Sequence, residues 1–127
     1  MFRLSARSIQ HMEGIDDALI QIAHKAILIS SVDFGIPGTG GLRSDETQGY
    51  LYRRGKSQKD GIQNRSSHQD GTAIDFFAYT EGAATWDRAA MTSVAAAFLQ
   101  AASELEVPVY WGGHWKTFHD LPHIELI

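Results

Sequence analysis

Residues 66–79 read SSHQDGTAIDFFAY, a histidine-bearing turn that leads into a run of strand-forming residues. The enrichment in β-formers predicts a strand over Thr72–Tyr79, preceded by a tight turn at Gly71. Side chains alternate between the two faces of a strand, and here both faces are apolar except at Asp75. We therefore expect a sheet that is covered on both sides and that buries this aspartate.

A buried aspartate needs a partner, because an unpaired carboxylate in the protein interior costs several kcal/mol. Two interpretations of Asp75 are open at this point. The carboxylate is satisfied either by backbone N–H groups or an arginine, or by a bound cation. The second interpretation requires further ligands nearby in the fold.

The rest of the chain predicts helices before and after this strand. Apolar residues recur at helical spacing in two regions, and short apolar runs predict further strands. The predicted elements are a helix over 15–30, a strand over 33–36, a short helix after the N-cap Ser44, an exposed loop over 55–67, a helix over 86–105, and strands over 107–111 and 122–126. Two late strands joined by a short connection favour an α+β fold, with a small antiparallel sheet and helices packed on it. No linker or repeat interrupts the chain, so we expect one domain over residues 1–127.

The composition is that of an ordinary globular domain, with 43% hydrophobic and 20% charged residues. Cysteine is absent, which leaves His, Asp and Glu as the candidate metal ligands. A net charge of −4 with no basic stripe argues against nucleic-acid binding. The small basic cluster of Arg53, Arg54, Lys56 and Lys59 is either a solvated loop or a point of attraction for an anionic polymer.

We expect neither a membrane span nor a signal peptide in this chain. No apolar stretch approaches the ~20 residues of a membrane span. Residues 1–7 lack the apolar core of a signal peptide. We expect synthesis in the cytoplasm, no membrane insertion and export by another route.

Two histidines lie where they can join Asp75. His68 precedes the strand across the Gly71 turn, and His123 lies in the last predicted strand, after Pro122. Alone, the first is typical of a solvated loop and the second of an edge strand. Together, His, Asp and His suit Zn²⁺, because three protein ligands leave the fourth position for water, as in catalytic zinc sites. Such an ion polarises a scissile carbonyl and lowers the pKa of water to ~7.

Hydrolysis also needs a proton acceptor and a group that stabilises the oxyanion. Asp120, which precedes His123 across the Pro122 turn, is the candidate base and proton donor, with turn capping as the alternative. Arg43 follows the Gly40-Gly41 turn and is the candidate to bind the polarised carbonyl or a substrate carboxylate. An ordinary salt bridge is the alternative for this arginine.

Three further residues are candidates for supporting roles. Glu125 either holds the His123 ring in one tautomer or is solvated. Trp111 and Trp115 flank a Gly-Gly pair that allows close approach of the backbone. They either form the wall of a cleft or pack in the core.

These residues form patterns that resemble those of the zinc peptidases, a family that includes bacterial D-alanyl-D-alanine carboxypeptidases and phage L-alanyl-D-glutamate endolysins. The family pattern Ser-x-His-x-x-Gly-x-Ala-x-Asp is matched from Ser66 to Asp75, and Asp-x-Pro-His-x-Glu-Leu from Asp120 to Leu126. The family's Trp-Gly-Gly-Asp-Trp is matched from Trp111 to Trp115, except that His114 stands in place of Asp. Earlier matches are Asp33-Phe34, Gly41-Leu42-Arg43, Gln48 and Gly55-Lys56-Ser57.

The resemblance runs along nearly the whole chain and implies a zinc peptidase with the family's α+β fold. It implies zinc on His68, Asp75 and His123, with Asp120 as the catalytic acid and base and Arg43 assisting. Further candidates near the metal or substrate are Glu125, Ser66, Gln48, Trp111, Trp115 and His114. Because histidine titrates near neutral pH, His114 changes affinity, specificity or pH response if the family's Asp contacts substrate.

Within the family, this compact chain is most similar to the phage endolysins. That similarity implies cleavage of the L-Ala–D-Glu bond of peptidoglycan stem peptides by a monomer, which a pore-forming, holin-type partner releases to the cell wall. Two alternatives stay open. One is a carboxypeptidase acting on the terminal D-Ala–D-Ala of the same peptides, and the other is a non-catalytic zinc domain for binding or particle structure.

Overall fold

The computed structural model describes residues 1–127, which form four α-helices and six short strands. The helices are α1 (Ala6–His11), α2 (Asp17–Ile29), α3 (Asp45–Arg53) and α4 (Arg88–Glu104). Each begins after a residue whose side-chain oxygen accepts a backbone N–H of the first turn, namely Ser5, Asp16, Ser44 and Asp87. The three predicted helices are confirmed, whereas the short α1 lies outside every predicted element. None of the helices combines the length and the apolar character that crossing a bilayer requires.

The strands form two antiparallel sheets of three strands each. The first sheet consists, in spatial order, of β1 (Phe34–Gly35), β3 (Phe77–Thr80) and β4 (Ala83–Thr85). The second consists of β2 (Ala73–Asp75), β6 (His123–Leu126) and β5 (Val109–Trp111), and a 3₁₀ helix (Gly112–His114) follows β5. The α+β class is confirmed, with its strands divided between two small sheets.

The prediction of one continuous strand over 72–79 is wrong, because the chain passes from one sheet to the other at Phe76. β2 pairs with β6, so that Asp75 lies opposite His123, while β3 pairs with β1 and β4. Between the two strands, the N–H of Phe76 donates to the carbonyl oxygen of Pro122. Both faces of the segment are apolar, so the alternation of side chains gives no sign of the change of sheet.

The hydrophobic core lies where α2 packs against α4 and α4 packs against β3 and β5, one strand of each sheet. It contains three clustered phenylalanine rings, those of Phe34, Phe76 and Phe98. Ile74 of β2 and Ile124 of β6 are fully buried in this core. The neighbouring residues Asp75 and His123 therefore point to the opposite face of the sheet, where the candidate site lies.

Candidate metal centre and cleft

Three residues predicted as ligands meet on one face of the β2–β6 pair. Asp75 and His123 are partners across the two strands, and His68 reaches the same place from the turn before β2. His68 Nε2 lies 3.2 Å and His123 Nδ1 3.1 Å from Asp75 Oδ1. One ligand atom from each residue lies within 4.8 Å of the others, so this group could hold a metal ion.

The outer nitrogen of each histidine ring serves as a hydrogen-bond donor. His68 Nδ1 lies 3.0 Å from the carbonyl oxygen of Gly41, which can only accept, so this nitrogen carries a proton. His123 Nε2 likewise donates to Glu125 Oε1, at 2.7 Å. In neutral rings the inner nitrogens then direct their lone pairs toward Asp75 Oδ1. Two lone pairs and a carboxylate oxygen repel one another unless a proton or a metal cation lies among them, and the donor set fits a divalent metal.

The hydrogen bonds within the cluster also shift the pKa values of its titratable groups. Burial raises the pKa of Asp75, but hydrogen bonds from His123 and His68 outweigh this effect and lower it overall. Burial lowers the pKa of His123, yet hydrogen bonds to Asp75 and Glu125 raise it to about 9. The hydrogen bond from His123 also lowers the pKa of Glu125. Both carboxylates are therefore held in their charged form.

Arg43 binds the second oxygen of Asp75. Its Nη2 lies 3.2 Å from Asp75 Oδ2, and both side chains of this ion pair are largely buried. Its Nε donates to the carbonyl oxygen of Thr39 at 2.7 Å, and its Nη1 donates to Gln48 Oε1 at 3.1 Å. Burial lowers the pKa of Arg43, while Asp75 and Asp120 oppose that shift. A guanidinium has five N–H groups, so these contacts leave two of them free for another partner.

Gln48 connects Arg43 to the loop over 55–67. The residue is fully buried. Besides accepting from Arg43, its side chain donates from Nε2 to Ser57 Oγ at 2.9 Å and to the carbonyl oxygen of Lys59 at 2.7 Å. Only the family pattern points to Gln48 in the sequence, because its partners lie in separate segments. Through these bonds, Gln48 fixes the loop relative to the predicted metal ligands.

Asp120 lies beside the cluster with its carboxylate in no side-chain hydrogen bond. Its Oδ2 is 4.0 Å from His123 Nδ1. Its backbone is fixed, because its N–H donates to the Gly112 carbonyl at 3.0 Å and its own carbonyl accepts from the N–H of His123 at 3.2 Å. Gly112 permits this approach, since an added Cβ would lie 2.8 Å from the Cβ of Asp120. Burial, and then the charge of Asp75, raise the pKa of Asp120 against the opposing effect of His123.

The cluster opens into a cleft of about 270 Å³. Its lining includes the segment 56–59, Arg43, Ser66, Trp115 and Phe118. A second groove continues from it, because six residues line both, namely Gln58, Lys59, Ser67, Trp115, Phe118 and Glu125. The largest depression of the surface, about 900 Å³, lies between α3 and residues 60–65 and contains none of the cluster.

The remaining sequence candidates take different places. Trp115 lies at the cleft, with its ring 5.2 Å from that of His123. Trp111 instead packs in the core and donates from Nε1 to the carbonyl oxygen of Leu121 at 2.8 Å. His114 is exposed and lies 4.8 Å from the Trp111 ring, outside the cleft lining. Ser66 lines the cleft, and its Oγ accepts the N–H of His68 at 3.2 Å.

The family model and two relatives that match this chain are all L-alanyl-D-glutamate peptidases. A sequence model of the phage L-alanyl-D-glutamate peptidase family matches residues 1–127. The chain is 33% identical over 98 residues to the peptidoglycan L-alanyl-D-glutamate endopeptidase CwlK of Bacillus subtilis (strain 168), which is 70% of this chain and 59% of CwlK. It is 31% identical over 124 residues to the L-alanyl-D-glutamate peptidase of Escherichia phage T5, which is 94% of this chain and 88% of that protein.

Solved structures agree with these relatives. The crystal structure of the L-Ala D-Glu endopeptidase ChiX of Serratia marcescens is similar with a TM-score of 0.86 and 34% identity, over 98% of this chain and 90% of ChiX. DacB of Streptococcus pneumoniae D39 gives a TM-score of 0.55 at 19% identity, over 94% of this chain and 70% of DacB. The likeness to DacB is one of fold alone.

Proposed function

Because the chain belongs to the phage L-alanyl-D-glutamate peptidase family, we propose that it hydrolyses the bond between L-alanine and D-glutamate in peptidoglycan stem peptides. The observation that carries the proposal is the meeting of His68, Asp75 and His123 in a cleft beside the unengaged carboxylate of Asp120. CwlK, the phage T5 enzyme and ChiX are all named for this bond.

We propose that the metal is zinc, with His68 Nε2, Asp75 Oδ1 and His123 Nδ1 as its ligands. Two imidazole nitrogens and one carboxylate oxygen are a set that zinc accepts in hydrolases, where the fourth position stays open. The hydrogen bonds to Gly41 and Glu125 hold both rings in the tautomer that this role needs. When bound there, zinc supplies a Lewis acid that polarises the scissile carbonyl and lowers the pKa of water.

The protein's own groups supply the proton transfers and part of the charge stabilisation. Asp120 accepts a proton from the attacking water and returns it to the amine of D-glutamate as the C–N bond breaks. A carboxyl group with a raised pKa suits both directions of this transfer. Arg43 offers its two remaining N–H groups to the carbonyl oxygen as negative charge develops there. Its ion pair with Asp75 keeps the guanidinium at the cluster.

We further propose that the protein acts on the cell wall as a monomer. The three proposed ligands, Arg43 and Asp120 are supplied by the same chain, so the proposed chemistry needs no residue of a second copy. The substrate is part of the cell wall, and we propose that a pore-forming, holin-type partner releases the protein to the wall.

Peptide release from purified peptidoglycan tests the function. We expect the protein to release stem peptides that begin with D-glutamate, to lose this activity on chelation, and to regain it when zinc is added. Mass spectrometry of the fragments identifies the bond. Free D-alanine as the product would instead assign a carboxypeptidase. No release in any state, from a protein that still binds one zinc, would contradict the peptidase function and favour a binding domain.

A further inference from the structure

We propose that Lys59 binds the free carboxylate of the D-glutamate beside the scissile bond, and that it makes the enzyme select this residue over its neutral amide. Lys59 would then be a specificity-determining residue on the leaving-group side of the cleft. This inference rests on the proposed function, because it takes the L-Ala–D-Glu bond as the one that is cut.

The substrate itself brings an unpaired negative charge into the cleft. The nitrogen of the scissile bond belongs to D-glutamate, which has two carboxyl groups. At most one of them continues the peptide, so the other is left either as a carboxylate or, where it has been amidated, as a neutral amide. A carboxylate that leaves water for a cleft needs a charged donor to replace its hydration.

The charges already in the cleft leave two cations available. Asp75 is paired with Arg43, and Glu125 accepts a hydrogen bond from His123. Arg43 is paired with Asp75, and its two remaining N–H groups are those proposed for the scissile carbonyl oxygen. Lys56 and Lys59 also line the cleft, and neither takes part in an ion pair.

Lys59 is better placed than Lys56 to recognise the substrate. Lys59 lines both the cleft and the groove that continues from it, whereas Lys56 lines the cleft alone. Its carbonyl oxygen accepts from Gln48 Nε2 at 2.7 Å, and its N–H donates to Ser57 Oγ at 3.3 Å. The backbone of Lys59 is thus tied to the same glutamine that holds Arg43. Its ammonium group therefore extends from a fixed point relative to His68, Asp75 and His123.

Arg65, the other cation of the second groove, is not available to bind the substrate carboxylate. Arg65 lines that groove, but it pairs with Asp70 at 3.2 Å and with Asp45 at 3.5 Å. Two aspartates therefore already share its charge. Lys59 is left as the cation that reaches both parts of the groove without a partner in the protein.

Two soluble stem peptides that differ only in this group, carboxylate in one and amide in the other, test the inference. We expect wild type to cut the carboxylate peptide with a kcat/KM about 10- to 100-fold higher, the range of a charged hydrogen bond. Lys59→Gln should lower kcat/KM for the carboxylate peptide alone and so remove the preference, while Lys59→Arg should keep it. Lys116→Gln is the matched control. Lys116 is an exposed lysine that follows Trp115 in the sequence, and it lines neither the cleft nor the second groove.

The outcomes separate this inference from the function on which it rests. If wild type cuts neither peptide, the proposed function fails. If wild type cuts both peptides equally, or if Lys59→Gln keeps the preference, the inference fails while the function stands. Lys59→Gln and Lys116→Gln could also lower kcat/KM for the carboxylate peptide equally, with losses that disappear at high salt. That result would mean that lysines attract the anionic substrate in general, and it would also overturn the inference about Lys59. Lys59 is exposed, so unchanged thermal unfolding should show that the substitutions leave the fold intact.

Discussion

The two carboxylate oxygens of Asp75 have different partners. Oδ1 faces the inner nitrogens of His68 and His123, while Oδ2 accepts from Arg43. The sequence leaves an arginine partner and a cation site as competing interpretations of this buried aspartate. In the structure they do not compete, because the arginine occupies one oxygen and the other is the one proposed to bind zinc.

Replacing Asp120 by alanine should separate catalysis from metal binding. The side chain makes no hydrogen bond, and the turn is held by the backbone of Asp120, so the fold and the zinc content should be unchanged. Loss of the proton-transfer group should lower kcat by about 100- to 10,000-fold. Steady-state kinetics and zinc analysis on the same samples measure both effects. The exposed Asp17→Ala provides the control, and substantial activity in Asp120→Ala would remove this residue from the mechanism.

Glu125 should control how tightly zinc is held, because it fixes the tautomer of His123 through a 2.7 Å hydrogen bond. We expect Glu125→Ala to weaken zinc binding by about 10- to 100-fold. Glu125→Gln should lose less, since an amide oxygen still accepts from the ring but carries no charge. Competition with a chelator of known affinity measures the series, with the exposed Glu104→Ala as control. Unchanged affinity in Glu125→Ala would show that the ring needs no such support.

At the scale of the elements, α3 carries the link between the site and its loop. Gln48→Ala should lower the free energy of unfolding by about 2–3 kcal/mol, because it leaves the Lys59 carbonyl and a buried N–H of Arg43 without partners. It should also lower kcat/KM, since the loop is no longer fixed beside the cleft. Urea unfolding and peptide kinetics test this, and Gln21→Ala on the exposed face of α2 should change neither. If Gln48→Ala is destabilised but keeps full activity, Gln48 stabilises the fold without a role in positioning the loop for catalysis.

Local signals predict the helices well and the sheets less well. Helical spacing and capping residues such as Ser44 are encoded in short segments, so the main helices have their predicted places. The change of sheet at Phe76 depends instead on pairing with distant strands, and nothing in the local alternation marks it. The short α1 is missed because its six residues give too little periodicity to detect.

The candidate site follows the same division. Spacing and the family patterns identify four candidate site residues, and the structure places them close together, namely His68, Asp75, His123 and Asp120. The bonds of Gln48 to Ser57 and Lys59 join residues from a helix and a loop, and no pattern in one segment predicts such a contact. The positions of the two tryptophans could not be separated from sequence either, because both flank the same glycine pair.

For the whole molecule, zinc should act as a stabilising ligand. It would join two neighbouring strands and the turn before β2, none of which is arranged in this way in an unfolded chain. At a free zinc concentration about 100 times the dissociation constant, we expect about 2.7 kcal/mol of added stability, or a rise of about 10 °C in Tm. Differential scanning calorimetry with zinc and with chelator measures the shift. His68→Ala should lose the metal and the shift together, and unchanged zinc content in this variant would refute its role as ligand.

The pairing of Asp75 with His123 joins residues 48 positions apart, whereas His68 and Asp75 are only seven apart. Contacts between distant residues close late in folding, because the entropy of the intervening chain must be lost first. A chain in which β6 is not docked can bring His68 and Asp75 together but lacks His123. Peptidase activity should therefore depend on the docking of β6 against β2, which brings His123 to the other two proposed ligands.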